Sequence, residues 1–271
     1  MVTITFSEAV TGFTNADLTI ANGTLIAVSS SDGGITWTAT FTPTASITDA
    51  TNVITLDNSG VVDAAGNTGS GTSNSANYTI DTVPPPVTIY VDASKADDSG
   101  NGLSWATARQ SLQTALGQAV SGDQIWVKTG TYKPGDSRSN YFDLKSGVSV
   151  YGGFAGTETS VSERAIATNE TILSGEIGAV SNTDNCYIVV ASINISGAVL
   201  DGFTIKGGYM NGLPPEGTWQ NDGGGIHHYY SQVTYSNLKI IQNYAGYNGS
   251  GVFVMGTQLA TFNNCVVAYN T

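Results

Sequence analysis

The chain has 271 residues, enough for two domains of ordinary size that bury their own cores without metals or crosslinks. Only 11% of residues are charged and the net charge is −12, so nucleic acid and anionic membrane surfaces would be repelled. Gly, Thr, Ser, Asn and Val are abundant while helix-favouring Glu, Lys, Arg and Met are scarce, a composition of strands and tight turns.

The first residues, Val2-Thr3-Ile4-Thr5-Phe6, already alternate like a strand in mid-domain, and Asn270-Thr271 stand inside a pattern still repeating. The expectation is a piece of a longer protein. Further alternating runs follow: Asp17 to Ala21, Ile35 to Phe41 with Ile35, Trp37, Ala39 and Phe41 on one side, Asn52 to Leu56, and Ala76 to Ile80. Asn22-Gly23, Asp32-Gly33-Gly34 and Asp63-Ala64-Ala65-Gly66-Asn67 separate them as turns. Strands at this spacing predict a β-sandwich over residues 1–82. Pro84-Pro85-Pro86 then stop both helix and central strand, giving a proline-rich linker at 83–86.

The segments ITFSEAVTGFTNADLTIANGTL, VVDAAGN and YTIDTVPP resemble the bacterial immunoglobulin-like repeats strung along large surface adhesins, over about residues 1 to 85. The resemblance implies a spacer, with calcium held at the ends of some members. Candidate oxygen donors for calcium, the one cofactor considered, are Glu8, Asp63, Asn67 and Asp81. The same residue types also cap turns without any metal. Asp97-Asp98-Ser99-Gly100-Asn101-Gly102 begins like a calcium loop but has Ala108 where the bidentate Glu belongs, so it is not an EF-hand.

After the linker, Thr88 to Val91 reads as a strand. A helix is predicted from about Trp105 to Ala119, capped by Ser104, with Ala108, Leu112, Ala115, Leu116 and Ala119 on its apolar face. Strand upon short strand follows. Aligning Leu200–Ile205 with Tyr235–Ile240 and Phe262–Val267 keeps the chemistry of each column: Leu200, Tyr235 and Phe262; Phe203, Leu238 and Cys265; Ile205, Ile240 and Val267; and, smaller, Ala198, Val233 and Ala260. The inner spacing widens at Asp201-Gly202, Ser236-Asn237 and Asn263-Asn264, as a bend between two strands requires. Asn243 and Asn270 fall in register as a candidate side-chain ladder. The predicted fold class is all-β: an immunoglobulin-like sandwich, then a right-handed parallel β-helix over 87–271 with one capping helix at its start.

Here too the residues resemble a family. YVDASKADDSGNGLSWATARQSLQTALGQAVSGDQIWVKTGTYKP looks like the cap and first coil of bacterial right-handed β-helix proteins of the pectate-lyase-like fold. VYGGFAGTETS, TILSGEI, VLDGFTIKGG, GGGI and IIQN resemble repeats of the polymorphic outer-membrane-protein type. This implies a secreted or surface-anchored modular protein, with no enzymatic activity common to the family.

Polysaccharide lyases and hydrolases also use this fold. Lyase chemistry needs a carboxylate cluster for calcium and a Lys or Arg as base, yet Lys206 and Lys239 fall in different columns. Asn182-Thr183-Asp184 matches one hydrolase motif without its companions. No catalytic residue is therefore assigned, and an enzyme whose catalytic coils lie outside this chain is the alternative. His227 and His228 are adjacent on a strand and point apart, His227 outward and solvated, His228 inward or at a corner. The two Cys residues, Cys186 and Cys265, read as small core residues.

An insertion from Tyr209 to Asp222 lengthens one coil. Tyr209, Trp219, Tyr229 and Tyr230, with Glu216, Asp222 and His227, would give one flank aromatic faces and polar groups suited to sugar rings. The expected role is adhesion or surface display by a monomer outside the cell, binding polysaccharide or the glycans of a host or environmental surface, with no nucleic acid and no membrane insertion within the chain.

Overall fold

The computed structural model describes residues 1–178, 182–211 and 222–271. The chain divides into two compact units, Met1–Pro85 and Pro86–Thr271.

In the first unit every strand pair is antiparallel. Val2–Thr5 pairs with Thr36–Ala39, which also takes Ser29–Ser30, and Leu18–Ile20 pairs with Ile54–Asp57, which takes Thr72–Asn74 on its other edge. Alternation turns one face of each strand inward, where Val10, Phe13, Leu56 and Val61 form a small core flanked by Ile4, Phe6, Leu18 and Trp37. Phe13 meets Phe6 and Trp37 edge-on at centroid distances of 5.5 and 5.3 Å, the favoured arrangement of ring quadrupoles. The run from Ile35 to Phe41 is not one strand. Ile35 lies outside the strand and is exposed, while Phe41 begins a separate strand, Phe41–Pro43, and packs on Tyr78. The unit carries Glu8, Asp17, Asp32, Asp49, Asp57, Asp63 and Asp81 and no Lys or Arg.

In the second unit the named strands pair in parallel. One sheet runs in the order Thr88–Val91, Gln124–Lys128, Ser149–Phe154, Ser196–Asp201, Gln232–Ser236, Ala260–Asn263. A second runs Gly130–Tyr132, Thr171–Ser174, Thr204–Lys206, Lys239–Ile241, Val266–Ala268. A third runs Phe142–Asp143, Val190–Ile193, Ile226–Tyr229, Val252–Met255. In each sheet the spatial order is the chain order. The backbone therefore visits each sheet once per coil and returns one strand farther along.

The aligned columns are real neighbours. Leu200 pairs with Tyr235 and Tyr235 with Phe262, Ala198 with Val233 and Val233 with Ala260, Ile205 with Ile240 and Ile240 with Val267. The Tyr235 and Phe262 rings stack at 4.8 Å. Phe203 and Leu238 are buried in the same core, and Cys265 packs against it. The bend between the first two sheets is made by a left-handed residue at one column, Gly202 (φ 86), Asn237 (φ 50) and Asn264 (φ 51), which Gly and Asn adopt most readily. The Asn side chains then tie the bends together: Asn237 donates to Asp201 at 2.8 Å and Asn264 donates to Asn237 at 2.7 Å.

Asn243 and Asn270 form the expected ladder. The Asn243 amide donates to the carbonyls of Ile205 and Ile241 and accepts from Gly208 N–H, and Asn270 Oδ1 accepts from both the Asn243 backbone and its side chain. Glycine is needed alongside: a Cβ on Gly225 would lie 2.4 Å from the Gly251 carbonyl oxygen.

The helix is shorter than its periodicity predicts. It spans Leu112–Gln118 and is capped by Ser111, whose hydroxyl accepts from Gln113 and Thr114 N–H, not by Ser104. The reason lies in competition for the preceding residues: Arg109 N–H bonds the Tyr90 carbonyl and Asp92 N–H bonds the Arg109 carbonyl, drawing this segment alongside Thr88–Val91. Asp98 reinforces the later start by accepting from Ser111 N–H and the Thr114 hydroxyl. Leu112, Ala115 and Leu116 are buried, as is Ala108 from the extended segment.

Both cysteines are free thiols. Burial pushes the Cys186 thiol up to about 11, whereas Cys265 is half-buried. In the native chain a thiol-reactive aromatic disulfide should label Cys265 first, with Cys186 reacting only after denaturation, as peptide mapping would show.

Candidate functional site

The sequence-predicted ligand residues separate into two places. Asp222, His227, Tyr229 and Tyr230 form one group beside the strand Ile226–Tyr229. The Asp222 carboxylate accepts from Asn248 N–H at 2.9 Å, and the carbonyl of Asp222 lies 3.2 Å from His227 Nδ1. The His227 ring leans on Phe253 (5.2 Å) and lies 6.3 Å from Tyr229, and the rings of Tyr229 and Tyr230 meet edge-on at 4.5 Å. Tyr230 is exposed and holds a left-handed backbone, φ 42. Trp219 and Glu216 lie outside the described residues.

His227 is a correction to expectation. It does alternate with its inward neighbour, but it is 1% exposed rather than solvated, and its Nε2 finds no partner among the described residues. Burial holds its imidazole below the ordinary value of 6.5 against the opposing pull of the Asp222 carbonyl. His228 points into the core and belongs to a network the sequence did not disclose. Its Nδ1 lies 3.0 Å from Ser192 Oγ and 3.1 Å from the Tyr235 hydroxyl, and its Nε2 lies 2.8 Å from the Ser231 carbonyl. These partners are neutral and buried, so an imidazolium would gain no counter-charge. Burial again lowers the pKa, and the nearby His227 adds to the effect.

A pH dependence follows. A histidine whose folded pKa lies below its unfolded value of 6.5 binds fewer protons when folded, so the unit keeps its full stability above that pH and loses it progressively as pH falls below it. The thermal midpoint should be flat from pH 7 to 8 and drop between pH 6.5 and 5. A His228→Leu variant should show a shallower drop in the same scan.

Tyr209 is placed elsewhere. It is not part of the insertion: Tyr209–Met210 pairs in parallel with Tyr244–Ala245, and the two tyrosine rings stack at 4.6 Å. Arg138 donates to the Tyr209 carbonyl at 3.0 Å while its guanidinium covers the Tyr187 ring at 4.2 Å. Tyr209 and Tyr244 line a groove of about 400 Å³ together with Glu176, Asn185, Lys206 and Gln242. Asn185 is buried, its Nδ2 donates to the Gly207 carbonyl at 2.7 Å, and its Oδ1 has no partner among the described residues. The missed signal was the column Tyr209, Tyr244, Thr271, which stands two residues beyond Gly207, Gln242 and Tyr269 in each coil.

The calcium donors do not converge. Asp63 accepts from the backbone of Ala65 and Asn67 and from the Asn67 amide at 2.8 Å each, and these bonds, the Asn67 side chain foremost, hold its carboxyl below the usual range. That is a turn closing on its own amides. Asp81 instead accepts from the Thr48 hydroxyl on a different strand pair, Tyr78–Asp81 with Thr48–Asn52. Among the described residues no group of three His, Cys, Asp or Glu side chains gathers as a metal site would. Lys206 pairs with Ser174, and Lys239 with Thr204 and Val266, so the two lysines occupy separate columns.

Among the described residues no helix is long and apolar enough to cross a membrane. No curated protein and no solved structure matches the chain. Residues 1–80 match the family model of the bacterial Ig-like domain, which makes the first unit Ig-like and points to a modular protein of the cell surface or exterior.

Proposed function

We propose that the second unit is a right-handed parallel β-helix, that the Ig-like unit serves it as a spacer, and that the pair acts in adhesion or surface display by holding polysaccharide. The observation that carries this reading is the coil-to-coil register, in which three parallel sheets are filled in chain order and side chains of one kind stand above one another. Parallel strands joined by crossovers are right-handed in about 98% of cases, which gives the hand. A stack of this type offers long, regular outer faces on which an extended polymer can lie. The tyrosines on two flanks, Tyr209 with Tyr244 and Tyr229 with Tyr230, supply flat rings with polar tips. The separation of Lys206 from Lys239 and the lack of a gathered carboxylate set among the described residues favour holding over cleaving.

The test is retention of the whole chain on insoluble cellulose, chitin and mannan, against an equally acidic control protein, with released reducing sugar measured in the same tubes. Retention without release supports adhesion. Release of sugar would overturn it in favour of an enzyme, and failure on all three polymers would remove the polysaccharide from the reading.

A further inference from the structure

The groove beside Tyr209 and Tyr244 has the makings of a defined subsite. Its walls come from successive coils: Ser174 and Glu176 from one, Lys206 and Tyr209 from the next, Gln242 and Tyr244 from the one after. Neighbouring strands stand about 4.8 Å apart, so three coils give a trough on the order of 10–15 Å running along the stacking direction. A cavity of about 400 Å³ lies within the range of small-ligand sites.

The chemistry of the walls narrows the occupant. Lys206 and Glu176 both line the trough, are partly exposed, and enter no ion pair among the described residues. An anionic ligand would meet Glu176 and a cationic one would meet Lys206. A neutral polyhydroxyl chain suits both, since a hydroxyl can accept from an ammonium and donate to a carboxylate.

We propose that this trough binds two or three units of an uncharged, linear oligosaccharide, with Glu176 and Lys206 holding its hydroxyls and the Tyr209–Tyr244 pair forming its aromatic wall. The proposal rests on the polysaccharide-holding reading above and gives it a place and a sugar class.

The full chain is titrated calorimetrically with cellohexaose, mannohexaose and xylohexaose, and with trigalacturonate as the acidic comparison. The wild type should bind at least one neutral hexaose and bind it more tightly than trigalacturonate. Glu176→Gln and Lys206→Gln, both partly exposed positions, should each weaken binding about tenfold with an unchanged thermal midpoint, as loss of a charge-assisted hydrogen bond predicts. Undiminished binding in both glutamine variants would overturn the subsite while leaving the adhesive reading intact, because retention on the insoluble polymers is measured separately. Tighter binding of trigalacturonate would overturn the neutral sugar class, and no binding of any hexaose by the wild type would overturn the subsite as a whole.

Discussion

Replacing Arg164 by methionine is expected to destabilise the parallel unit by about 3–5 kcal/mol, the usual cost of removing one partner of a buried ion pair. Arg164 Nη2 donates to Asp201 Oδ2 at 2.7 Å, and both side chains are about nine-tenths buried. The other end of the guanidinium donates to the carbonyls of Gly152 and Asp201 and lies over the Tyr151 ring at 5.1 Å. Without it Asp201 would keep, among the described residues, only the Asn237 amide as a partner for a buried charge. The double variant Arg164→Met with Asp201→Leu should recover most of the loss, since no charge is then stranded. Urea unfolding of the full chain carrying Trp37→Phe and Trp219→Phe, so that emission comes from Trp105 and Trp126, checks both. A double variant no better than the single would place the cost in packing on Tyr151 instead.

The second large effect is expected at Asn243. Asn243→Leu should cost about 3 kcal/mol, because it orphans the buried Gly208 N–H, worth about 1–3 kcal/mol, and removes the side-chain donor to the Ile205 and Ile241 carbonyls. Asn270→Leu removes the acceptor of the buried Asn243 N–H and should cost a comparable amount. Denaturation midpoints of the two variants check both, and a cost below about 1 kcal/mol for Asn243→Leu would mean that the ladder contributes little.

How much of this was legible in the sequence depends on whether a residue's role repeats. Leu200, Tyr235 and Phe262 could be read because each does the same work at the same step of its coil, and coil-to-coil stacking makes repetition a structural necessity. The Asn243 ladder and the bends at Gly202, Asn237 and Asn264 were readable for the same reason. The helix start was not, because apolar spacing over Ala108 to Ala119 is blind to Asp98, which reaches from outside the pattern to favour Ser111 as the cap. Arg164 was invisible too: it lies in an irregular segment and pairs with Asp201 across 37 residues. The histidines failed differently. Strand alternation gave their directions correctly, but direction alone does not fix exposure, and His227 is buried on the outward side. As for the ligand flank, aromatic composition grouped Tyr209 with Tyr229 and Tyr230, whereas pairing with Tyr244 assigns it to a separate groove.

The first unit's side chains bear charge of a single sign, with no Lys or Arg to offset seven carboxylates. Turn amides hold several of them ionised well into acid: Thr36 and then Ser30 draw Asp32 down to about 2, and Asp57 and Asp63 are lowered by Ser59 and Asn67. Mutual repulsion in this unit therefore persists through mildly acidic surroundings and yields to dissolved ions, whose screening length shortens from about 30 Å at 0.01 M to about 8 Å at 0.15 M. The thermal midpoint of this unit should therefore rise as salt is added from about 0.01 M toward about 0.15 M, with the carboxylates shielded from one another.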